Sequence, residues 1–195
     1  MRFAAGCLGF ALGGFLDGVL LHQILQWHHL LSGVTDPADW RFQMAWDGAF
    51  HAAHYAIALL GLVLLWRRRR EAAAPGAGRA TAGAALLGFG AWHLLDAVVN
   101  HWALGLHRIN ETVADPLPWD LVFFALGLVT AAAGGWLLRG RGGPGAPVAA
   151  GLAALVLLAG PAAALPPREP DPVARLLAGG TLPAFCAAWT RYAAR

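Results

Sequence analysis

Four stretches of this chain are apolar for longer than a helix in a small soluble domain requires: Phe3 to Leu31, Trp46 to Trp66, Ala82 to Leu106 and Leu117 to Leu138. A helix rises 1.5 Å per residue and the hydrocarbon core of a bilayer is about 30 Å thick, so about 20 such residues cross it. Each stretch therefore predicts a transmembrane helix. A fifth run, Ala146 to Leu165, is the most purely aliphatic and predicts one more. The first run continues past Asp17 and His22 with no small-residue cleavage pattern, so it is expected to be retained rather than removed as a signal peptide. Beyond it all, Pro166, Pro167, Pro170, Pro172 and Pro183 punctuate a tail that reads as an outside linker and a short interfacial helix.

Composition agrees with a membrane class. The 195 residues are 58% hydrophobic and 13% charged, against about 25% charged in soluble domains. All fourteen basic residues are arginine, and their placement predicts an orientation. Arg67, Arg68, Arg69, Arg70 and Arg79 follow the second run, and Arg139 and Arg141 follow the fourth. By the positive-inside rule these loops and the amino terminus are cytoplasmic. The loops after the first and third runs carry Asp36, Asp39, Glu111 and Asp115 and fit the outside. The net charge of +3 comes from residues beside spans, which gives no basic face for nucleic acid. Cys7 and Cys186 fall on opposite sides in this topology, so no disulfide is expected.

The polar positions within the apolar runs repeat. LDGVLLHQILQWHHL at Leu16 to Leu30 returns as LDAVVNHWALGLHRI at Leu95 to Ile109, with Asp17, His22, Leu25 and His28 matching Asp96, His101, Leu104 and His107 without a gap. Each copy is followed by a Trp-Asp pair opening the next run, Trp46 and Asp47 or Trp119 and Asp120. The fold expected is thus an all-α membrane protein: a bundle of two repeated transmembrane hairpins (four helices), residues 1–140, then a fifth transmembrane helix, 141–166, and an outside tail, 167–195. Both hairpins enter from the same side, a parallel repeat with any shared site between the halves. The copies differ: His51 and His54 match Phe124 and Gly127, His29 matches Arg108, and His93 matches Gly14.

All eight histidines lie in the first three runs or at their outer ends. Ionisable groups at membrane depth are costly and mark function by default. At about 100° per residue, Asp47, His51 and His54 share one face of the second helix. On the first, His22 and His29 share a face and Asp17 and His28 another; on the third, His93, Asp96, Asn100 and His107 align, with His101 off that face. Counting from the outer ends puts His22, His54 and His101 about 10 Å deep, able to hold one ion, and His28, His29, Asp47, His51 and His107 in a shallower layer. These eight are the expected metal ligands. Asp17, His93, Asp96, Asn100 and Asp120 are expected to orient them or relay protons. Imidazole with carboxylate suits iron or copper(II) first, and zinc as well. A bis-histidine haem b between His22 and His101 is the alternative cofactor.

The stretches GGFLDGVLLHQILQWHHLLS, WDGAFHAAHYAIALLGLVLL and HLLDAVVNHWALGLHRIN resemble a family of small bacterial multi-pass membrane proteins of unknown function with repeated Asp/His signatures. The resemblance covers roughly residues 10 to 138 and implies a bacterial inner-membrane location; it brings no activity. The function expected from the residues is a membrane metalloprotein with its site toward the outside, acting as a metal-dependent oxidoreductase. The opposing expectation is a metal-ion binding, transport or delivery protein without catalysis. The partners expected are the lipid bilayer, with a second copy of the chain or a periplasmic or membrane redox protein. Reporter fusions test the arginine-based orientation: a fusion after Arg70 should report the cytoplasm and one after Asp115 the outside, and the reverse pattern would overturn it.

Overall fold

The computed structural model describes residues 1–139. The fifth apolar run and the proline-rich tail, with the interfacial helix expected there, lie outside the described residues. Among the described residues the chain is helical, without strands. Four α-helices form, α1 (Arg2–Phe15), α2 (Trp40–Arg67), α3 (Ala77–Leu95) and α4 (Leu117–Leu138). Two π-helical segments continue two of them, Leu16–Ile24 after α1 and Asp96–Ala103 after α3, and a single 3-10 stretch, Arg69–Ala73, turns the chain between α2 and α3.

Four helices are long and apolar enough to cross a membrane: Arg2–Ile24, Trp40–Arg67, Ala77–Ala103 and Leu117–Leu138. The fourth coincides with its apolar run. The first stops well short of Leu31 and the third short of Leu106, because in both the chain leaves the helix at a residue with left-handed backbone. The second begins at Trp40, ahead of Trp46, since Arg41 and Gln43 are good helix formers that apolarity alone passes over.

α1 and α3 pack together in the middle, α2 lies on α1 and α4 on α3. Without a hydrophobic driving force between helices in lipid, close packing of small residues does this work. A Cβ on Gly9 would run into the carbonyl of Ala85, and one on Gly88 into the carbonyl of Gly6. α3 meets α4 the same way: a Cβ on Gly90 would come 2.6 Å from the carbonyl oxygen of Gly127.

The distribution of polarity is inverted relative to a water-soluble domain. The largest fully buried side chains are His22, His93, His101, His107, Asn110, Thr130 and the aspartates 17, 47, 96 and 120. The exposed faces of α2 and α4 carry Tyr55, Leu59, Leu62, Trp66, Leu121 and Leu128. An apolar surface that large is unfavourable in water and suits lipid. A prediction follows from the backbone contact of α1 with α3. Gly9→Leu and Gly88→Leu should each lower the melting temperature of detergent-solubilised protein, overpacking costing about 1–3 kcal/mol or more, whereas Leu59→Ala on the lipid face should leave it nearly unchanged. Equal melting of all three would refute this packing.

Candidate metal centre

The π-helical segments decide which side chains meet. In an α-helix, positions five apart point about 140° away from each other. In a helix closed by i→i+5 hydrogen bonds they stack on one face. Asp17 and His22 have this spacing within Leu16–Ile24, and Asp96 and His101 within Asp96–Ala103. Each segment ends alike. Leu25 N–H donates to Leu20 O and Leu104 N–H to Val99 O, both at 2.8 Å; Trp27 N–H reaches Leu21 O at 2.9 Å and Leu106 N–H reaches Asn100 O at 2.8 Å. Between these bonds sit Gln26 at φ 50° and Gly105 at φ 61°, the left-handed conformation that reverses a chain leaving a helix. The reversal carries His28 and His107 back into the bundle, where they are 2% and 1% exposed.

Two groups result. The ligand atoms of Asp17, His22 and His28 all lie within 4.8 Å of one another, and so do those of Asp96, His101 and His107. Asp17 Oδ1 is 3.7 Å from His22 Nε2 and 3.4 Å from His28 Nε2. Asp96 Oδ2 is 3.0 Å from His101 Nε2 and 3.8 Å from His107 Nε2. Metal–ligand bonds near 2.0–2.2 Å place neighbouring ligand atoms about 3–3.5 Å apart; the 3.0 and 3.4 Å spacings fall in that range and the 3.7 and 3.8 Å spacings slightly exceed it, so the groups could hold an ion. The groups adjoin: the His28 and His107 rings stack at 4.4 Å and 7°.

The outward nitrogens fix the tautomers. His28 Nδ1 lies 3.0 Å from Ile109 O and His107 Nδ1 3.0 Å from Leu30 O. His54 and His93 each place Nδ1 2.9 Å from the carbonyl four residues earlier, Phe50 O and Phe89 O. His22 Nδ1 is 3.0 Å from Asp47 Oδ1 and His101 Nδ1 is 3.1 Å from Asp120 Oδ1. A carbonyl or carboxylate only accepts, so Nδ1 is the donor in His22, His28, His54, His93 and His107, whereas His101 Nδ1, near Asp120, makes no hydrogen bond. In a neutral ring the Nε2 opposite a donating Nδ1 carries a lone pair, and the Nε2 atoms of all six histidines are buried without a hydrogen-bond partner, as are both oxygens of Asp17 and Oδ2 of Asp96. Burial, together with the neighbouring His107, pushes the His28 imidazole down to about 4, which keeps that lone pair free at neutral pH.

The family model described as "Predicted membrane protein (DUF2243)" matches residues 4–141, the region that holds this site. The chain belongs to that family. No curated protein and no solved structure matches it.

In this family member the residues expected as ligands separate by position. His22, His28, His101 and His107 join the two groups; His54 belongs to neither, so His22, His54 and His101 do not form a group of their own. The residues expected to orient ligands include Asp17 and Asp96, which stand within the groups. Asp47, expected as a ligand, accepts from His22, His29 Nδ1 at 2.7 Å, Gln23 Nε2 at 3.2 Å and Leu30 N–H at 2.9 Å. Asp120 accepts Ile109 N–H at 2.9 Å and Arg108 Nε at 2.5 Å. Asn100 donates to Asp96 Oδ1 at 2.6 Å. His29 is partly exposed at the rim. His51 turns its Nε2 toward Gly18 on the first π-helical segment.

Helical-wheel reasoning misplaced His28 and His107 because it continued the helices past Ile24 and Ala103. It also missed Arg108, Gln23 and the carbonyls of Leu30 and Ile109. The signal available was Gly105 inside an otherwise helical pattern, a turn residue in one motif copy. Asp120→Ala strips the acceptor from Arg108 Nε and Ile109 N–H at once and removes the carboxylate facing His101, and a buried donor left unpaired costs about 1–3 kcal/mol. The variant should melt well below wild type and below Asp115→Ala, whose carboxylate is exposed; matching melting curves would refute the assignment.

Proposed function

We propose that this protein is a membrane metalloprotein that holds two transition-metal ions, one at Asp17, His22 and His28 and one at Asp96, His101 and His107, and uses them in redox chemistry. The observation that carries the reading is the set of buried imidazoles whose Nδ1–H is tied to an acceptor while Nε2 is left with a free lone pair. Water or a hydrogen-bond donor would satisfy one such nitrogen; the four that gather with Asp17 and Asp96 fit cations, and a tethered Nδ1–H is how metal-binding histidines are usually held. Asp47 and Asp120 orient His22 and His101, and Asn100 orients Asp96. Iron or copper supplies one-electron chemistry from such an imidazole and carboxylate shell. Adjacent ions share charge and a bridging group, as two-metal centres do.

The matched contacts support reading the chain as two repeated hairpins about a common axis. His28 and His107 bond each other's loop, at Ile109 O and Leu30 O, and Leu30 and Ile109 are themselves held by Asp47 and Asp120. The arginine distribution supports a site toward the outside of a bacterial inner membrane. Complete burial of the ligating atoms favours electrons, protons or a diatomic molecule as what reaches the site, with a redox protein as the partner. It equally suits a closed site that holds ions for delivery, the second reading. A bis-histidine haem b between His22 and His101 is the alternative cofactor.

Purified protein reconstituted with iron(II) or copper(II) should bind about two ions per chain. His28→Ala and Asp96→Asn should each lose one, Asp47→Asn should weaken binding by about 10–100-fold, and Trp66→Ala should change nothing. An intense Soret band with no other metal would reject the reading. Reversible reduction of the bound ions separates the redox role from delivery, which predicts transfer to an acceptor chelator instead.

A further inference from the structure

The lipid face of α2 carries two polar side chains where apolar ones are expected. Tyr55 is 61% exposed, and His51, one helical turn before it on the same side, is half-buried. The depth of this pair follows from the exposed tryptophans that bracket it, Trp46 and Trp66, which as interfacial aromatics mark the two edges of the hydrocarbon. Tyr55 is nine residues from one and eleven from the other, about 13 and 17 Å along the helix, so it lies near the bilayer centre. Its ring leans on Phe15, 4.8 Å away, and no described residue accepts from its hydroxyl. His51 turns Nε2 toward Gly18, where that nitrogen has no partner.

The second hairpin shows what such a face is when it meets only lipid. The positions matching His51 and Tyr55 are Phe124 and Leu128, and Leu128 is 49% exposed. Apolar residues meet the needs of packing and lipid contact in one copy, so the polar pair in the other answers a further need. A phenol hydroxyl and an imidazole at this depth have no water to bond to, and ionisable or polar groups kept there mark function. The ester groups of phospholipids lie at the interface, out of their reach.

What meets the pair has to dissolve in the bilayer, present oxygen acceptors at its centre and lie against a helix. Gly48 and Ala52 are exposed beside it, and a Cβ on Gly48 would meet nothing within 4 Å, which leaves room for a planar ring. The same spot is joined to the first Asp-His-His group, since His51 lies 5.7 Å from Phe50 and Phe50 lies 5.3 Å from His22. We propose that this face of α2 binds the head group of a lipid-soluble quinone, with the Tyr55 hydroxyl and the His51 imidazole bonding its ring oxygens, and that the quinol form supplies electrons to the metal centre. The proposal rests on the redox reading above and names its electron donor. Two ions balance one quinol: two O–H bonds break, each iron(III) or copper(II) ion takes one electron, and the two protons leave in succession through the His51 imidazole to water. The electron for the second ion crosses from the first group along the stacked rings of His28 and His107, 4.4 Å apart.

Photolabelling in lipid nanodiscs tests the site without any metal. An azido-ubiquinone probe should label α2 around His51 and Tyr55 saturably, and decylubiquinone should compete with it. Tyr55→Phe and His51→Phe should each weaken decylubiquinone binding about tenfold, the scale of one lost hydrogen bond, while Leu128→Ala on α4 should leave it unchanged. In metal-loaded protein the same two variants should keep both ions and lose most of the rapid reduction of bound iron(III) by decylubiquinol. Labelling spread evenly over the lipid-facing helices, or unchanged binding in both variants, would overturn the proposal. So would a disulfide between two copies of Tyr55→Cys, or a cross-link from that position to residues 146–165, because another protein segment would then cover the face. Two bound ions with no quinone binding would sink this inference alone. Quinone binding to a protein that takes up no metal would remove the two-ion reading and the electron step with it, the binding site standing.

Discussion

Everything at the centre of this bundle depends on a change in hydrogen-bond register, from i→i+4 in α1 and α3 to i→i+5 in the segments that continue them. The change rotates Asp17 onto the face of His22 and Asp96 onto the face of His101. Runs of this helix type are rare and concentrate at functional sites, because their geometry is poorer than that of the α-helix. Here the register also sets the exit. The last bonds of each segment span five and six residues and close around Gln26 or Gly105, and that reversal returns His28 and His107 to the interior. Without it, these histidines would point out at the membrane surface.

Lipid gives this arrangement its stringency. A polar group buried at membrane depth has no water to turn to, and each one left unsatisfied costs several kcal/mol. The described residues meet most of the demand on the outward side, His101 Nδ1 and Asn110 Nδ2 being the exceptions. Asp47 and Asp120 each gather a histidine Nδ1, a loop N–H and a rim side chain, and loop carbonyls take the remaining imidazoles. On the inward side the demand is left open at Nε2 of six histidines and at the carboxylates of Asp17 and Asp96. The outer nitrogens are thus mostly partnered, His101 Nδ1 excepted, and the inner ones are not, so the two Asp-His-His groups could hold a cation. Small residues between α1, α3 and α4 let the backbones approach closely enough to hold the rings at this spacing.

The two Asp-His-His groups are alike in residue types and differ in the charge around them. Asp47 is met by the His29 imidazole, and Asp120 by the Arg108 guanidinium, a permanent cation with a directional N–H. His51 has an aromatic match, Phe124, in the other hairpin. In the proposed centre the ions therefore sit in similar shells but different fields, which separates their affinities or potentials without changing a ligand.

The sequence alone determined that the protein is helical, that four apolar runs are long enough to cross a membrane, and that histidines and aspartates gather on them, because span length and the cost of intramembrane charge are properties of short segments. It also exposed the matched Asp, His and His positions, from which the pairing of Asp17, His22 and His28 with Asp96, His101 and His107 could be anticipated as a set of types. It did not determine which of them meet. Wheel geometry assumes a uniform 100° per residue, and a local register change of one residue per turn alters every facing beyond it. That Asp47 meets His22, His29 and the Leu30 N–H was decided by the tertiary structure, since it depends on how the π-helical segment and the reversal after it pack against α2.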